Sequence, residues 1–201
     1  MDIQLLNTLS GVPVEGPLLL TPQVFGDERG FFFESWNHTT FNAALKAFAQ
    51  VENVFVQDNH SRSDRGVLRG LHYQVAPNPQ GKLVRCVHGE IFDVAIDLRR
   101  SSPTFGQWVG EKLSAVNYRQ LWVPVGFAHG FLTLSENAEV LYKTTDFWHK
   151  DCERAIRWDD PDVAISWPQI ETMGKDFTPV ISSKDAEAAW LSDLAEHDLF
   201  A

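Results

Sequence analysis

Residues 90–98 constrain the fold more than any other stretch. Phe92, Val94, Ile96 and Leu98 alternate with Ile91, Asp93, Ala95 and Asp97, the two-residue period of a strand. Segments of similar length, rich in β-branched or aromatic residues, lie at 54–57, 67–73, 83–87, 108–113, 120–123, 130–134 and 139–145. Turn chemistry separates them at 63–66 (Ser-Asp-Arg-Gly), 77–79 (Pro-Asn-Pro), 101–103 (Ser-Ser-Pro) and 135–137 (Ser-Glu-Asn). A parallel α/β fold needs a helix after almost every strand, and this region has none. The pattern predicts an all-β sandwich or barrel.

Helical spacing occurs only on the flanks. Phe41, Ala44, Leu45 and Phe48 follow a possible cap at Thr39-Thr40, and Ala186, Trp190 and Leu194 recur at four-residue spacing after Ser182-Ser183. The 201 residues are read as a single domain over 1–201, with a helical tail from about residue 183.

Charge narrows the partners. Seventeen Lys and Arg against 27 Asp and Glu leave a net charge of −10, which argues against nucleic acid and against anionic lipid. No Lys or Arg precedes Arg29, and the apolar run at 18–20 is far too short to span a bilayer. Cys86 and Cys152 lack the spacing of a zinc or redox site. A cytoplasmic protein with two reduced thiols is expected.

Against that acidic background, residues 60–85 hold five cations (Arg62, Arg65, Arg69, Lys82, Arg85) and one acid, Asp64, where even spreading predicts about two and about three or four. These cations alternate with Leu, Val and Tyr that should be buried, so some must turn into a pocket. A small phosphate-bearing ligand suits Arg forks. Arg69, two residues before Leu71, is expected to share its inward face. No glycine-rich phosphate loop and no nucleophile elbow is present.

The histidines raise the question of a metal. Residues 124–130 (Pro-Val-Gly-Phe-Ala-His-Gly) resemble the second half of the cupin signature, but the first half offers only His72-Tyr73-Gln74 with no acid close behind. His72 and His129 alone are short of a transition-metal ligand set, so no metal is expected. His38, His149 and His197 are read as satisfied core residues.

Six motifs stand in order: 25–30 (Phe-Gly-Asp-Glu-Arg-Gly), 57–61 (Gln-Asp-Asn-His-Ser), 68–72 (Leu-Arg-Gly-Leu-His), 80–85 (Gln-Gly-Lys-Leu-Val-Arg), 102–106 (Ser-Pro-Thr-Phe-Gly) and 124–130. Together they closely resemble the dTDP-4-dehydrorhamnose 3,5-epimerase family, from about Leu18 to about Asp185. The resemblance implies a cupin-like jelly-roll barrel, no cofactor and no metal. It also implies a homodimer with an N-terminal segment in the dimer contact. The implied substrate is a dTDP-sugar, dTDP-4-dehydro-6-deoxy-D-glucose, inverted at C3 and C5.

Both carbons flank the C4 ketone, so the chemistry needs a base, a stabiliser of the enolate oxygen and an acid on the opposite face. By resemblance His72 is the base, Tyr142 the acid and Asp185 the carboxylate orienting the base; Lys82 suits the enolate oxygen as a compact cation. Asp185 also fits a capping-box pattern with Ser182, and spacing does not decide between the two. Tyr142 is alternatively a core aromatic, and His129 a packing residue. The resemblance further assigns Phe25, Arg29, Glu34, Gln57, Asn59, Arg69, His129, Glu153 and Lys184 to nucleotide-sugar binding. Two other readings remain: epimerisation at one carbon only, and a non-catalytic sugar-binding cupin.

Overall fold

The computed structural model describes residues 1–169 and 177–201. Two antiparallel sheets stack face to face as a jelly-roll sandwich. The first contains β1 (Asp2–Asn7), β2 (Pro13–Thr21), β5 (Gln57–Asp64), β7 (Lys82–His88), β10 (Gln120–Val123) and β12 (Asn137–Thr144), in the order β1-β2-β10-β7-β12-β5. The second contains β6 (Leu68–Gln74), β8 (Glu90–Asp97), β9 (Trp108–Ser114), β11 (Phe127–Thr133) and β13 (Glu153–Ala155), in the order β13-β6-β11-β8-β9. A short hairpin, β3 (Phe25–Asp27) with β4 (Gly30–Phe32), stands apart. Among the described residues no ladder joins the two large sheets, so the expected barrel is an open sandwich.

The two-residue period at 90–98 becomes β8, and both of its faces are covered. Ile91 and Ala95 enter the interior cluster with Leu19, Val84, Leu121 and Val140 from the opposite sheet. Val94, Ile96 and Leu98 enter a second cluster on the outer face with Leu71, Tyr73 and Ile156, over which Leu191, Leu194, Leu199 and Phe200 lie. At about 25 cal/mol per Å² of buried apolar area, such two-sided burial is what stabilises a central strand.

Helix α1 (His38–Ala47) covers the outer face of the first sheet. Its stripe Phe41 and Leu45 packs on Leu18, Leu20, Leu83 and Trp122. The cap is Asn37, whose side chain accepts from the Thr40 N–H at 3.1 Å, not Thr39 or Thr40. Asn satisfies an orphan helix donor as well as Thr does.

Several expectations need correction. Residues 54–56 are not strand; Phe55 instead packs its ring against Trp36, Phe41 and Trp122 beneath α1. The strand begins at Gln57 and runs through eight polar residues, because its alternate side chains face the cavity (Gln57, Asn59, Ser61) and solvent (Asp58, His60, Arg62). With both faces wet, no hydrophobic alternation marks it. The tail is not one helix: α2 (Ser183–Ala186) is followed by single 3-10 turns at Leu191–Asp193 and Glu196–Asp198. Leu191 and Leu194 are apolar because they lie on the sheet, not because they share a helix face. His38, His149 and His197 are on the surface rather than in the core. Both cysteines are buried and unpaired.

Arg69 and Leu71 do not share a face. On β11, Phe131 and His129 are two apart, whereas their partners on β6, Arg69 and His72, are three apart. One extra residue on β6 therefore forms a bulge at Gly70, whose φ of +128° favours glycine. The bulge resets the alternation, so Arg69 and His72 both line the cavity while Leu71 joins the outer cluster. Gly130 faces it so closely that a Cβ there would lie 2.6 Å from the Arg69 carbonyl oxygen and 2.8 Å from Leu71 Cδ2. We expect Gly130→Ala to destabilise the protein by about 2 kcal/mol, the cost of overpacking between two backbones, read as a lower urea midpoint at unchanged m-value.

Candidate active site

A cavity of about 680 Å³ opens between the sheets where β5, β6, β7, β11 and β12 converge. Gln57, Asn59, Arg69, His72, Lys82, His129, Tyr142, Glu153, Lys184 and Asp185 all line it. The walls come from both sheets and from the helical turn at Ser183–Ala186, so residues 127 positions apart in the chain, Gln57 and Lys184, both line it.

His72 Nε2 lies 2.6 Å from Asp185 Oδ1, and Asp185 is buried. The Ser182 Oγ accepts from the Asp185 backbone N–H at 3.1 Å. The two readings of Asp185 are thus compatible: its main chain is capped by Ser182 while its carboxylate reaches His72. Burial pushes the Asp185 carboxyl up. The hydrogen bond and charge of His72, with Ser182 and the Gly70 amide, outweigh this and hold it below the ordinary value. A carboxylate on one ring nitrogen selects the tautomer in which Nε2–H donates, leaving the Nδ1 lone pair free.

Lys82 is buried and its Nζ donates to the His72 carbonyl oxygen at 3.0 Å. Burial lowers its pKa to about 8, against the raising influence of Glu153 and Asp93. An ammonium has three donors, so two remain after the backbone contact. The Tyr142 phenol is held above its ordinary pKa by burial, opposed by Arg69 and assisted by Glu153. It remains a proton donor at neutral pH.

His129 stands directly across the ladder from His72 and gives its own Nε2 to Asp93 Oδ1 at 2.7 Å. Asp93 is fully buried. The sequence reading placed Asp93 on the strand but gave it no part in the site; the signal was an acid on the same strand face as Ile91 and Ala95. Arg69 is braced by Ser63 Oγ at 2.8 Å and the Arg62 carbonyl oxygen at 3.2 Å. Glu153 pairs with Lys184 at 2.6 Å, and Gln57 is 3.0 Å from Asn59. Ser61, Gln80, Phe131 and Trp148 also line the cavity and were given no role from sequence.

Three assigned residues lie elsewhere. Phe25 and Arg29 belong to the exposed β3–β4 hairpin, where Arg29 pairs with Asp27, and exposed Glu34 accepts from Asn37. Of the cation-rich stretch, Arg69 and Lys82 reach the cavity, while Arg85 lies over the Phe33 ring on another face. The motif at 102–106 serves the fold: Ser102 and Thr104 donate their hydroxyls to buried Asp97 at 2.6 and 2.7 Å. Among the described residues no group of three or more His, Cys, Asp or Glu is placed to hold a metal ion, and no helix is long and apolar enough to cross a membrane.

A family model described as dTDP-4-dehydrorhamnose 3,5-epimerase matches residues 11–193. The enzyme of that name from Pseudomonas aeruginosa is 58% identical over 176 residues, 88% of this chain and 91% of the relative. A dTDP-6-deoxy-D-glucose-3,5-epimerase from Legionella pneumophila, solved in complex with dTDP-4-keto-L-rhamnose, is 44% identical. It superposes with a TM-score of 0.85, covering 99% of this chain and 98% of its own. A 3′-monoepimerase from Streptomyces bikiniensis, in complex with dTDP-quinovose, is 31% identical with a TM-score of 0.79, covering 92% and 87%. By sequence match and by fold, this chain belongs to the dTDP-4-dehydrorhamnose 3,5-epimerase family.

Proposed function

We propose that this protein inverts C3 and C5 of dTDP-4-dehydro-6-deoxy-D-glucose to give dTDP-4-dehydro-L-rhamnose. The observation that carries this reading is the 2.6 Å contact between His72 and buried Asp185 in a cavity shared with Lys82 and Tyr142. His72 removes the proton α to the C4 ketone through Nδ1, and Asp185 stabilises the imidazolium that forms. Charge then develops on the C4 oxygen, where the two free donors of Lys82 hold it. Tyr142 returns a proton from the opposite face. The same set acts in turn on C3 and C5, since both carbons flank one carbonyl; between the two inversions the His72 imidazolium gives its proton to solvent and the Tyr142 phenolate takes one back. Arg69, His129, Lys184, Gln57 and Asn59 hold the diphosphate and sugar, with Glu153 fixing Lys184.

Epimerisation at one carbon is the second reading, favoured by the fold shared with the Streptomyces bikiniensis 3′-monoepimerase. In deuterated solvent the main reading expects label at both C3 and C5 of the sugar; label at a single carbon selects the other. His72→Ala abolishes exchange while affinity for the dTDP-sugar changes little. Tyr142→Phe keeps solvent exchange better than it keeps inversion, because abstraction survives and reprotonation fails. Equal loss of both activities overturns the acid role, and full turnover of His72→Ala overturns the base.

Lys82 carries its charge below pH about 8 and loses it above. Turnover accordingly falls as pH rises through that value. Lys82→Met costs about 10²–10³ in kcat and removes this basic limb; an unchanged pH profile in the variant rules out the enolate role.

We further infer that the working unit is a homodimer in which Phe25 and Arg29 serve the partner's cavity. The hairpin is solvent-exposed, with Phe25 57% and Phe32 72% accessible, and stands outside both sheets. Two large aromatics held that far in water match an interface rather than a monomer surface. His72→Ala and Arg29→Ala, each inactive alone, then recover activity when mixed under exchange, because one site per mixed dimer is intact. No recovery from a mixed dimer sinks this arrangement.

A further inference from the structure

The dyad carboxylate rides on a single helical turn, and a four-residue helix does not hold a side chain in place by itself. Beyond the Ser182 cap and the Gly70 amide, its support comes from the segment after β13. Within that strand Ala155 pairs with His72 across the ladder, and the next residue, Ile156, exchanges backbone hydrogen bonds with Leu71 at 3.0 and 3.2 Å. Arg157 then turns to the tail. Its backbone N–H donates to the Ala189 carbonyl oxygen at 3.0 Å, and Ile156 bridges Ala189 in parallel. Its Nη1 donates to the Ala186 carbonyl oxygen at 2.7 Å, the last carbonyl of the turn that bears Asp185. One rail of backbone, 153–157, thus lies between the base and the segment carrying its carboxylate partner.

The guanidinium is itself pre-set. Asp159 takes Nε and Nη2 at 2.8 and 2.9 Å, a two-pronged pairing, and the Trp190 ring lies 4.4 Å from Cζ. That leaves Nη1 aimed at the turn. Just beyond it, Asp160 Oδ2 accepts from the Leu191 N–H at 2.6 Å and pins the tail on the far side of Trp190. Among the described residues the guanidinium's contacts are therefore with the tail and with Asp159. Among the described residues, the titratable groups that touch His72 or share its cavity are Asp185, Glu153, Lys82, Tyr142, Lys184, Arg69 and, across the ladder, His129.

We propose that Arg157 is a positioning residue for the reaction: by closing the C-terminal end of the 183–186 turn, it holds Asp185 against His72. The proposal deepens the function inferred above and rests on it for its kinetic readout. Removing the donor frees the turn to rotate, Asp185 drifts from Nε2, and the imidazolium loses its counter-charge. The base weakens, while the groups that bind the diphosphate stay where they are.

The test uses the full-length protein with Arg157→Met, which keeps the apolar stem over Trp190 and removes the donors, and with Arg157→Lys, which restores one. Expected for Arg157→Met are a kcat about tenfold lower, the order lost when a supporting hydrogen bond is removed from a working histidine, and a KM within about twofold. The acid limb of kcat/KM and the His72 imidazole titration, followed by NMR, both move to lower pH. Arg157→Lys recovers most of the rate. In an Asp185→Asn background Arg157→Met costs nothing further, because the group it positions is already gone. Trp190→Leu, which leaves the guanidinium in place but unstacked, moves the same readouts by less and serves should Arg157→Met fold poorly. A full additional loss on Asp185→Asn, or a His72 titration that does not move, overturns the proposal. Absence of sugar turnover in the wild-type protein with a titration that still moves overturns the proposed reaction and leaves the positioning role standing.

Discussion

The contact on which the site depends is between two strands that nearly touch. At Gly70 and Gly130 the backbones of β6 and β11 approach until neither strand has room for a Cβ. The extra residue on β6 turns Arg69 and His72 to one side and Leu71 to the other. Without the bulge, strict alternation would set Arg69 with Leu71, and His72 would point at the tail. The same step brings His72 opposite His129, so two imidazoles face the cavity from neighbouring strands. Glycine costs conformational entropy within a strand, about 0.5–1 kcal/mol each, and here the return is the aim of the His72 ring into the cavity.

Both imidazoles are then anchored the same way, each by a buried aspartate at hydrogen-bonding distance. A third buried aspartate, Asp97, takes Arg99, Ser102 and Thr104 and serves only the fold. Charge-assisted hydrogen bonds of this kind are worth about 1.5–3 kcal/mol, against about 0–1 for exposed ion pairs. That contrast separates the hairpin from the body. Arg29 and Asp27 form an exposed pair that adds little stability and ties the hairpin only to itself. The buried dyads, by contrast, lock the His72 and His129 rings against the walls of the cavity.

The acidic chain puts few cations into its cavity, and one of them, Lys82, pays for burial with a pKa near 8. Its position beside the His72 carbonyl oxygen couples the strand that carries His72 to the strand that carries the ammonium. The tail completes the enclosure from outside. It packs Leu191, Leu194, Leu199 and Phe200 on the back of the second sheet, and the Tyr73 hydroxyl donates to the Asp198 carbonyl oxygen at 2.9 Å. The residue after His72 is thus a peg for the chain terminus.

Strands with one apolar face or two, such as 90–97 and 120–123, were legible from local alternation, because burial of those faces is the main force acting on them. The motifs around His72, Lys82 and His129 were legible as a set through their order along the chain, and Tyr142 through the resemblance they carry. What the sequence determined by itself was therefore the all-β class, the chemistry of the residue types and the family they resemble. The tertiary structure alone decided which residues meet. Strand β5 has no hydrophobic signature because one of its faces lines a polar cavity and the other faces water. Asp93 read as one more alternating position of a strand until His129 Nε2 reached its carboxylate from the neighbouring strand. The phase of β6 depended on how closely a second strand approached. Each of these outcomes turns on contacts between residues distant in the chain, and local propensity carries no record of them.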